Sequence, residues 1–234
     1  MEKSYRRLLA LVSFCLIGVA GAGAETGVTA DRIVVGQTGV FTGPVAEPGI
    51  QYRAGAQIYF NEINAKGGIA GRKIKLVSYD DKFDPKLATE NTKKLLEEDK
   101  VFALFGYIGT GATAASIPQI MNHRIPVVGV LSGSDGLRDP KLNLIFHTRA
   151  SYGAETSKMV EQLTTTGVKS IAVVYQDDPF GKAGLKSAQG AFSRYNIKPV
   201  LEAPLDMGKL DDLASTAEQI SKTHPGAIIM VTAG

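Results

Sequence analysis

Short apolar runs closed by small or polar residues recur along the chain. They occupy residues 32–40 (RIVVGQTGV), 73–81 (KIKLVSYDD), 101–109 (VFALFGYIG), 125–133 (IPVVGVLSG), 170–178 (SIAVVYQDD) and 226–234 (GAIIMVTAG). Longer stretches with helical spacing lie between them. Ala54, Ile58, Tyr59 and Ile63 mark one predicted buried face; Leu87, Thr92, Leu95 and Leu96 mark a second; Met159, Val160 and Leu163 mark a third. Runs apolar throughout, rather than alternating, are strands buried on both faces, and their alternation with helices predicts an α/β fold built on mostly parallel sheet.

Local signals sharpen these boundaries. Asp84 precedes Pro85 at the head of a helical stretch, the arrangement of an N-cap followed by a residue whose missing N–H costs nothing. The glycines of residues 64–73 (NAKGGIAGRK) end the preceding helix. The rhythm breaks at residues 146–155 (FHTRASYGAE), and a fresh series starts with a helix from about Tyr152. The expected organisation is therefore a leader at 1–24, a first lobe at 25–148 and a second lobe at 149–234.

The leader is read from charge and hydropathy. Lys3, Arg6 and Arg7 precede an apolar stretch over residues 8–20, and Ala22, Gly23 and Ala24 form the small-residue pattern of a cleavage site. Cleavage after Ala24 and export to the periplasm follow. That apolar stretch is shorter than the roughly 20 residues a membrane span needs. The one cysteine, Cys15, falls inside it behind the bulky Phe14. The remaining chain thus has no disulfide, lipid anchor or thiol nucleophile. Without the leader, 23 basic residues stand against 22 acidic ones, and no clustered basic stripe points to a nucleic-acid partner.

In an open parallel sheet, ligands bind beyond the carboxyl ends of the strands. The predicted strands end there in Thr42 and Gly43, Asp80 and Asp81, Thr110 and Gly111, Ser132 to Asp135, Asp177 and Asp178, and Thr232 onward. Gly109, Gly111 and Ala114 satisfy the dinucleotide pattern G-x-G-x-x-A, but no acidic residue for a ribose occurs over residues 112–134 and no lysine follows as in a phosphate loop. A helix starting near Thr110 still offers unpaired N–H groups to a carboxylate, with the Thr110 hydroxyl as a further donor; capping of that helix by Thr110 is the alternative, compatible with the first. Asp80, Asp81 and Asp84 match no calcium loop and read as turn and capping residues. His123, His147 and His224 have no metal-ligand spacing, and Ser132, Ser134 and Ser151 lack a paired base. No cofactor, metal or catalytic residue is expected.

Taken in order, "TGPVAEPG", "AGAQIYFNEINAKGGIAGRKIKLVSYDDKFDPKLA", "LFGYIGTGAT", "IPVVGV", "FHTRASYGAE" and "IAVVYQDDPFGKAG" resemble the substrate-binding proteins of branched-chain amino-acid ABC transporters, the Leu/Ile/Val-binding family of type I periplasmic binding proteins. The resemblance implies two Rossmann-like lobes closing on an amino acid, amide or small carboxylic acid, with a membrane permease as partner. It implies a hydroxyl donor at Thr110 with Gly111 and Thr113 beside it, a binding segment at Leu131, Ser132 and Gly133, and an aromatic wall at Phe180. Ser151 and Tyr152 at the lobe crossing join this set. Pro48 stands where some amino-acid binders have a tyrosine, Phe83 and Gly109 where some have a disulfide, and Leu131 and Ser132 replace a small-residue pair. Members of that family run longer, so the second lobe is expected to be incomplete. A sensing domain of the same fold and an exported enzyme are the competing functions.

Overall fold

The computed structural model describes residues 25–207 and 209–233; the expected leader lies outside them. The chain runs β1 (Arg32–Gly39), α1 (Glu47–Ala65), β2 (Lys73–Asp80), α2 (Pro85–Glu97), β3 (Ala103–Phe105), α3 (Thr110–His123), β4 (Val127–Val128), a 3-10 turn (Asp135–Arg138), β5 (Ile145–Phe146), α4 (Tyr152–Thr165), β6 (Ile171–Gln176), α5 (Pro179–Arg194), β7 (Leu201–Leu205), α6 (Leu210–Thr223) and β8 (Ala227–Val231). A five-stranded sheet has the order β2-β1-β3-β4-β5 and a three-stranded sheet the order β7-β6-β8. All the pairings within them are parallel. Strand order reverses beside β1 in the first sheet and beside β6 in the second. Each reversal sends successive loops to opposite sides of a strand end and leaves a crevice between them.

Each sheet has its own apolar core. Leu95, Leu104, Tyr107, Ile120 and Val127 pack together around the first; Val160, Ile171, Val173, Phe192 and Ile229 pack around the second. Full burial of one such aliphatic or aromatic side chain is worth about 1.5–3 kcal/mol. The first core also encloses a polar link between α2 and α3. Thr92 Oγ1 lies 2.8 Å from the Tyr107 hydroxyl and donates to Ser116 Oγ at 3.0 Å, so these buried groups carry no desolvation deficit.

The apolar runs at 101–109 and 125–133 yield only short strands. Gly106 and Gly129 adopt φ of 61° and 72°, which turns the backbone out of the ladder before the isolated bridge between Ile108 and Leu131. Both glycines make room for Tyr52 of α1: a Cβ on either would lie 2.7 Å from an atom of its ring or hydroxyl. Tyr52 in turn donates to the Gly129 carbonyl at 2.7 Å and stacks on Phe105. Strands β5 and β7 lie outside the predicted runs.

The face expected for α1 is corrected by the structure. Ile58 and Tyr59 are 70% and 60% exposed, and Ala54 is exposed as well. The helix instead turns Tyr52 and Phe60 onto Phe105, with ring centroids 5.8 and 5.6 Å away. It carries apolar residues on two sides, and the tertiary partner decides which side packs. On α4, Val160 is buried as expected but Met159 is about half exposed. Asp84 caps α2 by accepting from the Lys86 N–H at 2.7 Å, as its place before Pro85 predicts.

Candidate functional site

The two strand-order reversals face one another across a cleft of about 330 Å³. From the first sheet come Val40, Val45 and Pro48 after β1, Phe83 after β2, Ile108 and Gly109 after β3, and Leu131 after β4. Arg149, Tyr152, Phe180, Thr232 and Ala233 close the other side. That volume is at the small end of the range for ligand pockets. A hollow of about 200 Å³ adjoins it, lined by Arg149, Tyr152, Glu155, Met159 and Phe180 among others. A larger one, about 760 Å³ beside Phe102, Arg124 and Pro126, lies at the opposite strand ends, where α3 finishes rather than begins. The 330 Å³ cleft lies instead at the carboxyl ends of the strands, where Gly109 begins α3.

Of the residues named from sequence, Leu131, Tyr152 and Phe180 line this cleft. The Tyr152 and Phe180 rings meet edge to face, 5.8 Å between centroids. Gly133 supports Tyr152 from below: its carbonyl accepts the Tyr152 N–H at 2.6 Å, and a Cβ at 133 would stand 2.5 Å from the ring. Ser151 caps α4 by accepting from Ala154 N–H. Gly111 is wedged between Pro85 and Pro179, at the heads of α2 and α5. Thr113 is fully buried and spends its hydroxyl on the Gly109 carbonyl at 2.7 Å.

Thr110 and Ser132 form a buried pair with their hydroxyl oxygens 2.8 Å apart. Ser132 Oγ also accepts the Ser134 N–H at 3.2 Å. Two hydroxyl protons serve one mutual bond, so one remains for another acceptor. The alternative in which Thr110 caps α3 does not hold. The N-cap is Gly109, at φ 94° and without a side-chain cap, and Thr110 is the first helical residue. The α3 N-terminus consequently keeps its partial positive charge beside the cleft wall.

The acidic corner after β2 is used up internally. Asp80 accepts from the Phe41 and Lys82 N–H groups and from the Thr42 hydroxyl; Asp81 accepts from Thr38 Oγ1 at 3.0 Å and Phe83 N–H at 2.9 Å. These bonds hold Lys82 and Phe83 at φ of 52° and 65°, a costly left-handed pair that sets the Phe83 ring against Gly109. Burial pushes the Asp81 pKa up to about 6, and the neighbouring charges of Asp80 and Asp84 add to this against the two donors. Turn and capping roles expected for the three aspartates are what the hydrogen bonds show. Among the described residues no group of three or more His, Cys, Asp or Glu is placed to hold a metal ion, and no described helix is long and apolar enough to cross a membrane.

Arg149 carries no sequence signal, and Asp135 is named from sequence only as the end of the Ser132 to Asp135 corner. Arg149 pairs with Glu155, and its guanidinium carbon lies 5.3 Å from the Tyr152 ring centroid. Asp135, in the 3-10 turn, accepts from Gly153 N–H at 2.9 Å and from Ser187 of α5 at 3.0 Å. Partial burial raises its pKa, but donation by Ser151, Ser187 and Gly153 outweighs this and holds it below the ordinary value. A charged residue at a turn is commonplace; the fold brings Arg149 to the cleft and Asp135 to a separate hollow of about 390 Å³ shared with Ser134, Lys186 and Ser187.

The profile of the family described as "Periplasmic binding protein" matches residues 32–234. An amino acid binding protein of Pseudomonas aeruginosa is 28% identical over 214 residues, covering 90% of this chain and 55% of the relative. The leucine-specific-binding protein of Salmonella typhimurium is 28% identical over 204 residues, covering 84% and 53%. Among solved structures, a possible leucine/isoleucine/valine-binding protein from Rhodopirellula baltica superposes with a TM-score of 0.79 at 28% identity, over 90% of this chain and 57% of that one. The chain spans about half the length of the relatives it matches.

Proposed function

This chain belongs to the periplasmic binding protein family, and on that premise we propose that it is the extracytoplasmic solute-binding component of an ABC transporter. It captures an amino acid or related small carboxylate between two lobes, residues 25–148 and 149–234, and delivers it to a membrane permease from the periplasm. The observation that carries this reading is the meeting of two strand-order reversals over one small, mostly apolar cleft. The ligand's carboxylate is received at the Thr110–Ser132 pair and the α3 N-terminus, with Gly111, Thr113 and Gly133 shaping that wall. Its apolar body rests against Leu131, Phe83 and Phe180, and Ser151 fixes the helix that presents Tyr152.

Closure is a hinge motion driven by contacts that the ligand makes better in the closed state. The relatives that match are binding proteins by name, and the same reading gives this chain no chemical step. Residues 25–234 are screened for thermal stabilisation against amino acids, amides and small aromatic and aliphatic acids, followed by recovery of the compound. A rise in Tm with a small carboxylate returned unchanged supports the reading. Conversion of the compound, or no response across the panel, overturns it.

A further inference from the structure

We propose that Arg149 is the charge receptor of the cleft, exchanging its ion pair with Glu155 for the carboxylate of a ligand with an apolar body. This rests on the solute-binding reading above and names the residue that sets its specificity. Arg149 lines both the 330 Å³ cleft and the adjoining 200 Å³ hollow, whereas Glu155 lines only the hollow. Arg149 is thus shared by the two, as Tyr152 and Phe180 are, and the opposite side of the cleft is formed by Val40, Val45, Phe83 and Leu131.

Its position is set before any ligand arrives. Arg138 Nη2 donates to the Arg149 carbonyl at 2.8 Å, and Tyr152, beneath the guanidinium, is held by Gly133 and Phe180. Exchange has a path. The pair with Glu155 keeps about one-third of each side chain exposed, so solvent reaches both groups as they part. It engages Nη2 alone, out of the five N–H donors of the group. The Thr110–Ser132 pair supplies one neutral hydroxyl proton and α3 a partial charge on the first-sheet side, so a full positive charge on the opposite side is the feature that separates a carboxylate from its neutral amide.

Calorimetric titration of residues 25–234 with benzoate and benzamide, and with isovalerate and isovaleramide, tests this. The unsubstituted protein binds the acids in preference to the amides. Arg149→Gln lowers acid affinity about 10- to 100-fold, the range for losing hydrogen bonds to a charged group, and leaves the amides unchanged. Glu155→Gln, which releases Arg149, strengthens acid binding. Equal acid affinity in Arg149→Gln and the parent overturns the assignment while leaving the solute-binding reading intact, and so does a parallel loss in both variants, which makes the pair structural only. Silence of the parent towards acids, amides and amino acids alike overturns both. Should Arg149→Gln not fold, Glu155→Gln decides alone: tighter acid binding supports the exchange, and unchanged or weaker binding removes it.

Discussion

Two corners of the same sheet, one after β2 and one after β3 and β4, are built from similar polar residues and end in opposite states. At the first, Asp80, Asp81 and Asp84 accept from the N–H groups of residues 41, 82, 83 and 86 and the hydroxyls of Thr38 and Thr42. At the second, Gly109 caps α3 with no side chain, and Thr110 and Ser132 leave a proton over. The acidic corner consumes its hydrogen-bonding capacity in making a turn, while the glycine and hydroxyl corner keeps some in reserve. The contrast follows from place. β2 is the edge strand, whereas β3 flanks the point where strand order reverses, the position at which an open parallel sheet leaves room for a ligand.

The contrast is sharpened most by titrating Asp81. Its folded pKa of about 6 lies above the unfolded value of 3.8, so the native state holds the proton more tightly and stability falls as pH rises from about 4 to 6, by about 3 kcal/mol. Asp80 and Asp135 are shifted down, so their contributions are present above pH 4 and are lost only below it, outside this window. Asp81→Asn keeps an acceptor for Phe83 N–H and removes the charge; urea unfolding across pH 4–7 is expected to lose most of the slope. A next effect, about 2 kcal/mol, comes from Gly109→Ala, which puts a Cβ at φ 94° and 2.8 Å from the Phe83 ring. Phe83→Ala in the same chain recovers the contact part and not the backbone part, which a double-mutant cycle resolves.

Thr110→Ala is expected to weaken carboxylate binding about fivefold to tenfold, roughly 1–1.4 kcal/mol, while the chain stays folded by circular dichroism. Unchanged affinity removes the hydroxyl from the site. The smallest effect belongs to the acidic corner: Asp84→Ala loses the α2 cap and about 1 kcal/mol of stability, with no change in ligand affinity by calorimetry. A binding defect there breaks the division between the two corners.

Much of this was legible where burial is two-sided. The run IAVVYQ of β6 is almost wholly buried, and its unbroken hydrophobicity identifies it. β7, LEAPL, was not legible, because Glu202 and Pro204 face outward on an edge strand and interrupt the run. Nor does spacing choose between the Ile58–Tyr59 and Tyr52–Phe60 sides of α1, both apolar, since Phe105 makes that choice from 45 residues beyond Phe60. At the site, Leu131, Tyr152 and Phe180 line the cleft, while Thr110 and Ser132 turn to each other behind it. Arg149 has no such signal, because a single charge in a loop has no period and its partner stands on another element; Asp135 falls in the polar corner after β4, but its partners Gly153 and Ser187 are set by the fold.

One oxygen of Asp135 receives both Gly153 N–H and the Ser187 hydroxyl, joining the turn after β4 to the first turn of α4 and the middle of α5. All three groups are reachable by water, which replaces each bond at nearly equal enthalpy. The fastening works as a loose clasp: it sets the register of the three segments, while water stands ready to take over each bond as they part. On the solute-binding function proposed above, the residence time of a bound solute is then governed by the solute's own contacts with both sides of the cleft.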